Sequence, residues 1–195
     1  MVRAKRVIVF LAAFMLVAGV AMAQTYSGPF HVDYFDNANA AGAPDATVRL
    51  DNPGTAGTNL CADIFVFDAA EELSECCSCK VSPDDLRTLS VNTDLTSNPG
   101  NGVGVVNGVI KIVSSALVGG ACLVPTTAAS VVPTPEIQEW VTHIQAPSTG
   151  GFAITEDQSL PADLGTVELK QLEADCWSIH RVSSGKGICT CGVGL

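Results

Sequence analysis

Eight cysteines set the strongest constraint on this chain: Cys61, Cys76, Cys77, Cys79, Cys122, Cys176, Cys189 and Cys191. What they can form depends on the compartment, and the amino terminus speaks to that. Arg3, Lys5 and Arg6 precede an uncharged stretch from Val7 to Val20, and Ala21-Met22-Ala23 follows. A basic start, a short apolar run and small residues at its end are the layout of a secretory signal peptide. The run falls short of the roughly 20 apolar residues that span a bilayer. Residues 1–23 are therefore predicted to be a signal peptide rather than an anchor, with the mature chain starting at Gln24. Residues 24–195 are expected to form a single secreted β-rich domain, periplasmic or on the cell surface, with no membrane span after cleavage. In an oxidising compartment an even set of cysteines is a disulfide framework. Eight cysteines allow roughly a hundred pairings. Those joining the neighbours Cys76 and Cys77 strain the backbone and are set aside; the rest stay open. Because Cys76 and Cys77 point different ways, their segment is predicted to be tied to two different elements.

Charge narrows the partners. The whole chain carries a net charge of −10, and loss of residues 1–23 would remove three basic side chains and no acidic one, leaving −13. Binding to nucleic acid relies on Lys and Arg displacing counterions from phosphate. Nucleic acid and anionic membrane are thus excluded as expected partners.

Along the chain, Phe30, Val32 and Tyr34 alternate as one face of a strand over residues 30–35, and Asp36 to Asp45 reads as loop. A second strand is predicted over 46–50, a turn at Asp51-Asn52-Pro53-Gly54, and a strand apolar on both faces apart from Asp63 over 60–67. Asp68 to Cys79 reads as a helical turn running into a stapled loop, and Ser82-Pro83-Asp84 as a helix start. Strands follow over 89–95 and 103–117, the latter with a possible hairpin at Asn107-Gly108. Residues 119–135 read as loop. Residues 136–145 fit helix or strand, with strand favoured by the Gly150-Gly151 turn and a return strand over 152–155. Leu169, Leu172, Cys176 and Ile179 form one stripe of a helix over 166–179. The expected fold is mainly β: an immunoglobulin-like β-sandwich with one C-terminal helix, held by disulfides.

Each candidate chemistry meets a physical objection. Cys76-x-x-Cys79 has the spacing of a zinc knuckle, but Cys189-x-Cys191 is one residue tighter than the usual second knuckle, and export favours disulfides. Read as a redox pair, Cys76 and Cys79 lie close to Asp68, Glu71, Glu72 and Glu75, whose charge opposes thiolate formation. His31, His143 and His180 share no metal-ligand or protease spacing. No serine sits in a Gly-x-Ser-x-Gly elbow. Ser184-Gly185-Lys186-Gly187 resembles the end of a phosphate loop but lacks the leading glycine and the closing hydroxyl, so it reads as a helix stop. Asp33, Asp36, Asp45 and Asp51 flank a Gly-rich loop without calcium-loop spacing. The sequence thus assigns no catalytic, cofactor-binding or metal-ligating residue, and no cofactor.

Two blocks carry a family resemblance. One runs from Asn52-Pro53-Gly54 through 59–68 and Glu75-Cys76-Cys77-Ser78-Cys79 to 86–92. The other comprises residues 140–145, Ile154-Thr155-Glu156 and Gly187-Ile188-Cys189-Thr190-Cys191. Together they resemble a set of uncharacterised secreted proteins encoded in acidobacterial genomes, over most of the mature chain. The resemblance implies export and a shared fold, and supplies no functional residue.

The expected function is a non-enzymatic structural or interaction module of the cell envelope or extracellular space. Two alternatives stand beside it: an extracellular protein binding a metal ion or small ligand, and a hydrolase whose carboxylates only the fold brings together. The strand over 30–35, tethered by no cysteine before Cys61, is expected either to close its own sheet or to mediate self-association.

Overall fold

The structure is a computed structural model that describes residues 27–146, 150–182 and 185–192. Residues 1–23, expected from the sequence to be a signal peptide, lie outside them, as does Ser184.

Short alternating segments broken by turns give eight strands: β1 (Phe30–Phe35), β2 (Thr47–Asn52), β3 (Leu60–Asp68), β4 (Leu73–Val81), β5 (Asp85–Ser90), β6 (Gly108–Ala116), β7 (Gln138–Gln145) and β8 (Ala153–Ser159). They form two antiparallel sheets, sheet A in the order β1-β6-β3-β4 and sheet B in the order β5-β2-β7-β8. Only the β3–β4 and β7–β8 connections stay within one sheet. The sheets bury a shared apolar core including Val48, Leu50, Ile64, Leu89, Ile110, Ile112 and Val141. Helix α1 (Thr166–Val182) covers the outer face of sheet A. Its predicted stripe is the packing face: Leu172 and Cys176 are buried, Leu169 and Ile179 partly so, against Phe30, Phe65 and Val113. The sandwich with one C-terminal helix is therefore the architecture, and residues 138–145 are strand. No helix among the described residues is long and apolar enough to cross a membrane.

Several local expectations were overturned. Residues 73–81 are a strand because the cysteines act as apolar groups alternating between two covered faces. The acidic stretch before them supplies only the turn, where Asp68 Oδ1 accepts from the Ala70 and Glu72 backbone N–H groups at 2.9 and 3.0 Å. Ser82-Pro83-Asp84 is a turn into β5 rather than a helix start. The strand predicted over 89–95 stops at Ser90, where a π-helical turn (Val91–Leu95) begins. Ser90 Oγ accepts from Thr93 N, Asp94 holds Ser90 N, and Val91 and Leu95 turn into the core. Asn107-Gly108 makes no hairpin, because β6 runs unbroken between β1 and β3.

All eight cysteines are paired: Cys61–Cys122, Cys76–Cys176, Cys77–Cys189 and Cys79–Cys191. Three of the four bridges leave from β4. Cys76 points outward to α1, while Cys77 and Cys79 point inward to the C-terminal segment, which pairs parallel to β4 between Cys76 and Ile188. Such a framework fits an oxidising compartment.

Candidate functional site: acids and imidazoles between the sheets

Strand alternation places residues of like parity on one face but leaves open which face turns inward. In β1 the apolar trio does not share the core. Phe30 packs under α1, Val32 and Tyr34 are half-exposed, and His31, Asp33 and Phe35 turn toward sheet B. In β7 the inward face is Glu139, Val141 and His143, while Trp140 lies on the outer side. The two inward faces meet because β1 and β7 pack across the sandwich.

The result is a polar cluster drawn from β1 (buried His31 and half-buried Asp33), β7 (buried Glu139 and His143) and β8 (buried Ser159), with the exposed Asp157 of β8 at its edge. His31 Nδ1 lies 3.4 Å from Glu139 Oε2, and both side chains are 1% exposed. His31 Nε2 is 3.1 Å from the carbonyl of Ile137, which only accepts, so Nε2 carries a proton. Burial lowers the His31 pKa, against the pull of the Ile137 and Ser159 backbone carbonyls, and Nδ1 faces Glu139 without a well-formed hydrogen bond. Burial, reinforced by the neighbouring Asp33 carboxylate, pushes Glu139 well above the usual carboxyl range. A protonated Glu139 facing a neutral His31 is the arrangement these effects favour. Asp33 is raised by its own burial. Ser159 lies beside both carboxyls and favours their charged forms, but Asp33 Oδ2 and both Glu139 oxygens lack a well-formed hydrogen bond. At the other end Tyr34 stacks on His143 with ring centroids 4.2 Å apart, and His143 Nε2 stands 3.8 Å from the exposed Asp157.

Chemically, the cluster can hold and exchange protons. Two carboxyls lie near one another, as a hydrolase would need, but Glu139 is completely buried and no substrate can reach it.

A second buried acid lies beneath the outer layer of sheet A. Asp63 accepts from Ser78 Oγ at 2.5 Å and Ser115 Oγ at 2.6 Å, and burial lifts its pKa to about 6 against those bonds. Glu75 on β4 accepts from Asn98 N at 2.7 Å, and burial raises it to about 7.

The sequence-level candidates fall in different places. His31 and His143 belong to the inter-sheet cluster, whereas His180 sits on α1, 3.5 Å from the Cys76 carbonyl. The four aspartates weighed for calcium do not converge among the described residues. Asp33 faces Glu139, Asp45 accepts from Asn92 N at 3.1 Å beside the π-helical turn, and Asp51 lies on the outer face of sheet B. The sulfurs of Cys77, Cys79 and Cys191 gather within 4.8 Å, but as parts of two disulfides. Sequence reasoning missed Glu139, Ser159 and Asp157. The available signal was the alternation of Glu139 and His143 with Val141, a polar pattern easily taken for a solvated face.

The opposite side of sheet B is open. Trp140 is half-buried there, with Arg49 as its register partner on β2 and the Arg49–Glu156 ion pair beside it. Arg49, Asp51, Leu86, Trp140 and Glu156 line a shallow depression of about 390 Å³. Leu86 and Ile154 are exposed on the same sheet. No protein-family profile matches the chain, and no curated protein or solved structure matches it either.

Proposed function

We propose that this chain is an exported, non-enzymatic interaction module that receives a protein partner on the outer face of sheet B. The observation that carries this reading is Trp140, held in the middle of an open four-stranded face beside Arg49, Glu156 and Leu86. Trp and Arg are the side chains most enriched where binding energy concentrates, and a polar rim around an aromatic anchor is usual at such places. Sheet A offers no comparable face, since α1 packs over it. The disulfides on β3 and β4 hold the scaffold from the far side and leave this face free to engage.

The test is the native mass of protein taken from its own cell envelope after gentle cross-linking, for wild type and for Trp140→Ser. A defined complex for wild type, lost in Trp140→Ser at unchanged thermal stability, is the expected result. Wild-type protein that stays strictly monomeric and unaccompanied would rule the reading out.

A further inference from the structure

The inter-sheet cluster sits where an edge strand outside every disulfide loop meets the rest of the molecule. β1 precedes every cysteine. Its backbone pairs with β6 over six residues, and among the described residues only Phe30 bridges onward, to Ala162. Its remaining attachment to sheet B is the inward face, and that face presents His31 and Asp33 where a sandwich usually places apolar groups.

We propose that β1 is a proton-controlled latch, held against sheet B while the buried Glu139, 3.4 Å from His31 Nδ1, keeps its proton, and loosened when that proton leaves. Every titratable group in the contact is accounted for. β1 brings His31 and Asp33, with Tyr34 stacked on His143; β7 brings Glu139 and His143; β8 brings Asp157; β6 contributes the apolar Ile110 and Ile112 opposite Asp33 and His31. None of the ion pairs described for these carboxyls involves Lys or Arg. With the proton in place, the His31–Glu139 pair is neutral overall and can be buried at modest cost. Without it, the Glu139 carboxylate faces Asp33 across the sandwich with only Ser159 beside the two and no well-formed hydrogen bond of its own, a situation that costs far more than an exposed ion. Separation of β1 from β7 relieves that repulsion and admits water, and nothing covalent opposes it. The raised Glu139 and lowered His31 values agree with a proton resident on the carboxyl.

The experiment is hydrogen exchange by mass spectrometry on the full mature, disulfide-bonded protein from pH 5 to 8.5. Rates are corrected for intrinsic chemistry, and β1 is compared with β3 in the same molecule. The expected result is a fall of about tenfold or more in β1 protection relative to β3, since one pKa unit corresponds to tenfold. In Glu139→Gln, whose side chain is neutral at every pH, the ratio should stay flat across the range. If that variant does not fold, Asp33→Asn serves, and should move the loosening to higher pH by removing the facing charge. A wild-type ratio independent of pH would overturn the latch, as would an undiminished pH response in folded Glu139→Gln or an unshifted one in Asp33→Asn.

Discussion

Cys76 and Cys77 are adjacent in sequence yet bind opposite layers of the molecule, Cys76 reaching Cys176 on α1 and Cys77 reaching Cys189 in the C-terminal segment. The pleat of β4 makes this possible, because successive side chains leave a strand on opposite faces. One strand thereby fixes both the helix outside sheet A and the chain end inside the sandwich.

The two inward bridges should be redundant. Cys77–Cys189 and Cys79–Cys191 both close loops with a sequence separation of 112, two residues apart along the same pairing. Once one is made, the other removes little further chain entropy. Replacing either pair by Ala should cost about 1 kcal/mol or less beyond local packing, whereas replacing both should approach the roughly 4–5 kcal/mol of a loop this long. Urea unfolding of the single-bridge and double-bridge variants measures this, and additive losses would contradict it.

Removal of Cys76–Cys176 should act differently, because no second bridge holds α1. A loss of about 2–5 kcal/mol is expected, with early melting of the helix. Far-ultraviolet circular dichroism against temperature would show it as a separate helical transition; a single unshifted transition would speak against the role given to this bridge.

Stability should fall as pH rises from about 4 to about 7. Burial raises Asp63 to about 6 and Glu75 to about 7 in the folded chain, and lifts Glu139 well above the usual carboxyl range. Over that window the folded state holds more protons than the unfolded one, so each rise in pH favours unfolding. The lowered pKa of His31 acts the other way up to about 6.5, one imidazole against three carboxyls. Denaturant midpoints at pH 4.5, 6 and 7.5 should therefore decrease in that order, and a steady increase would refute the account.

Asp63→Ala would leave the buried Ser115 and half-buried Ser78 hydroxyls without their acceptor. The expected cost is about 1–3 kcal/mol, together with a shallower pH dependence between 5 and 7. Chemical denaturation at two pH values separates the two effects.

Gly108→Ala should be among the most damaging small substitutions. A Cβ at Gly108 would stand 1.9 Å from the Phe67 carbonyl oxygen, in a strand paired on both sides. Backbone on both flanks leaves no room to relax, so about 1–3 kcal/mol or more is expected. Gly104→Ala, where nothing lies within 4 Å, is the matching control and should change little. Equal melting temperatures for the two variants would contradict the packing argument.

Residue periodicity by itself determined much of this protein: the strands at 30–35 and 60–67, the helix stripe from Leu169 to Ile179, and the loop carrying Cys122, whereas residues 136–145 fitted helix and strand alike. Those features depend on neighbours in sequence, and local spacing encodes them. The even cysteine count likewise determined that a disulfide framework was available, and Cys76 beside Cys77 that it would diverge. Only the tertiary structure decided which cysteine meets which, because partners about a hundred residues apart are chosen by how the sheets stack. It also decided which face of β1 and β7 is inside. Alternation groups His31 with Asp33 and Glu139 with His143, yet a period of two is the same read from either side of the sheet. The packing of α1 over Phe30 draws one face of β1 outward, and that turns the polar face into the sandwich, where the acids and imidazoles meet.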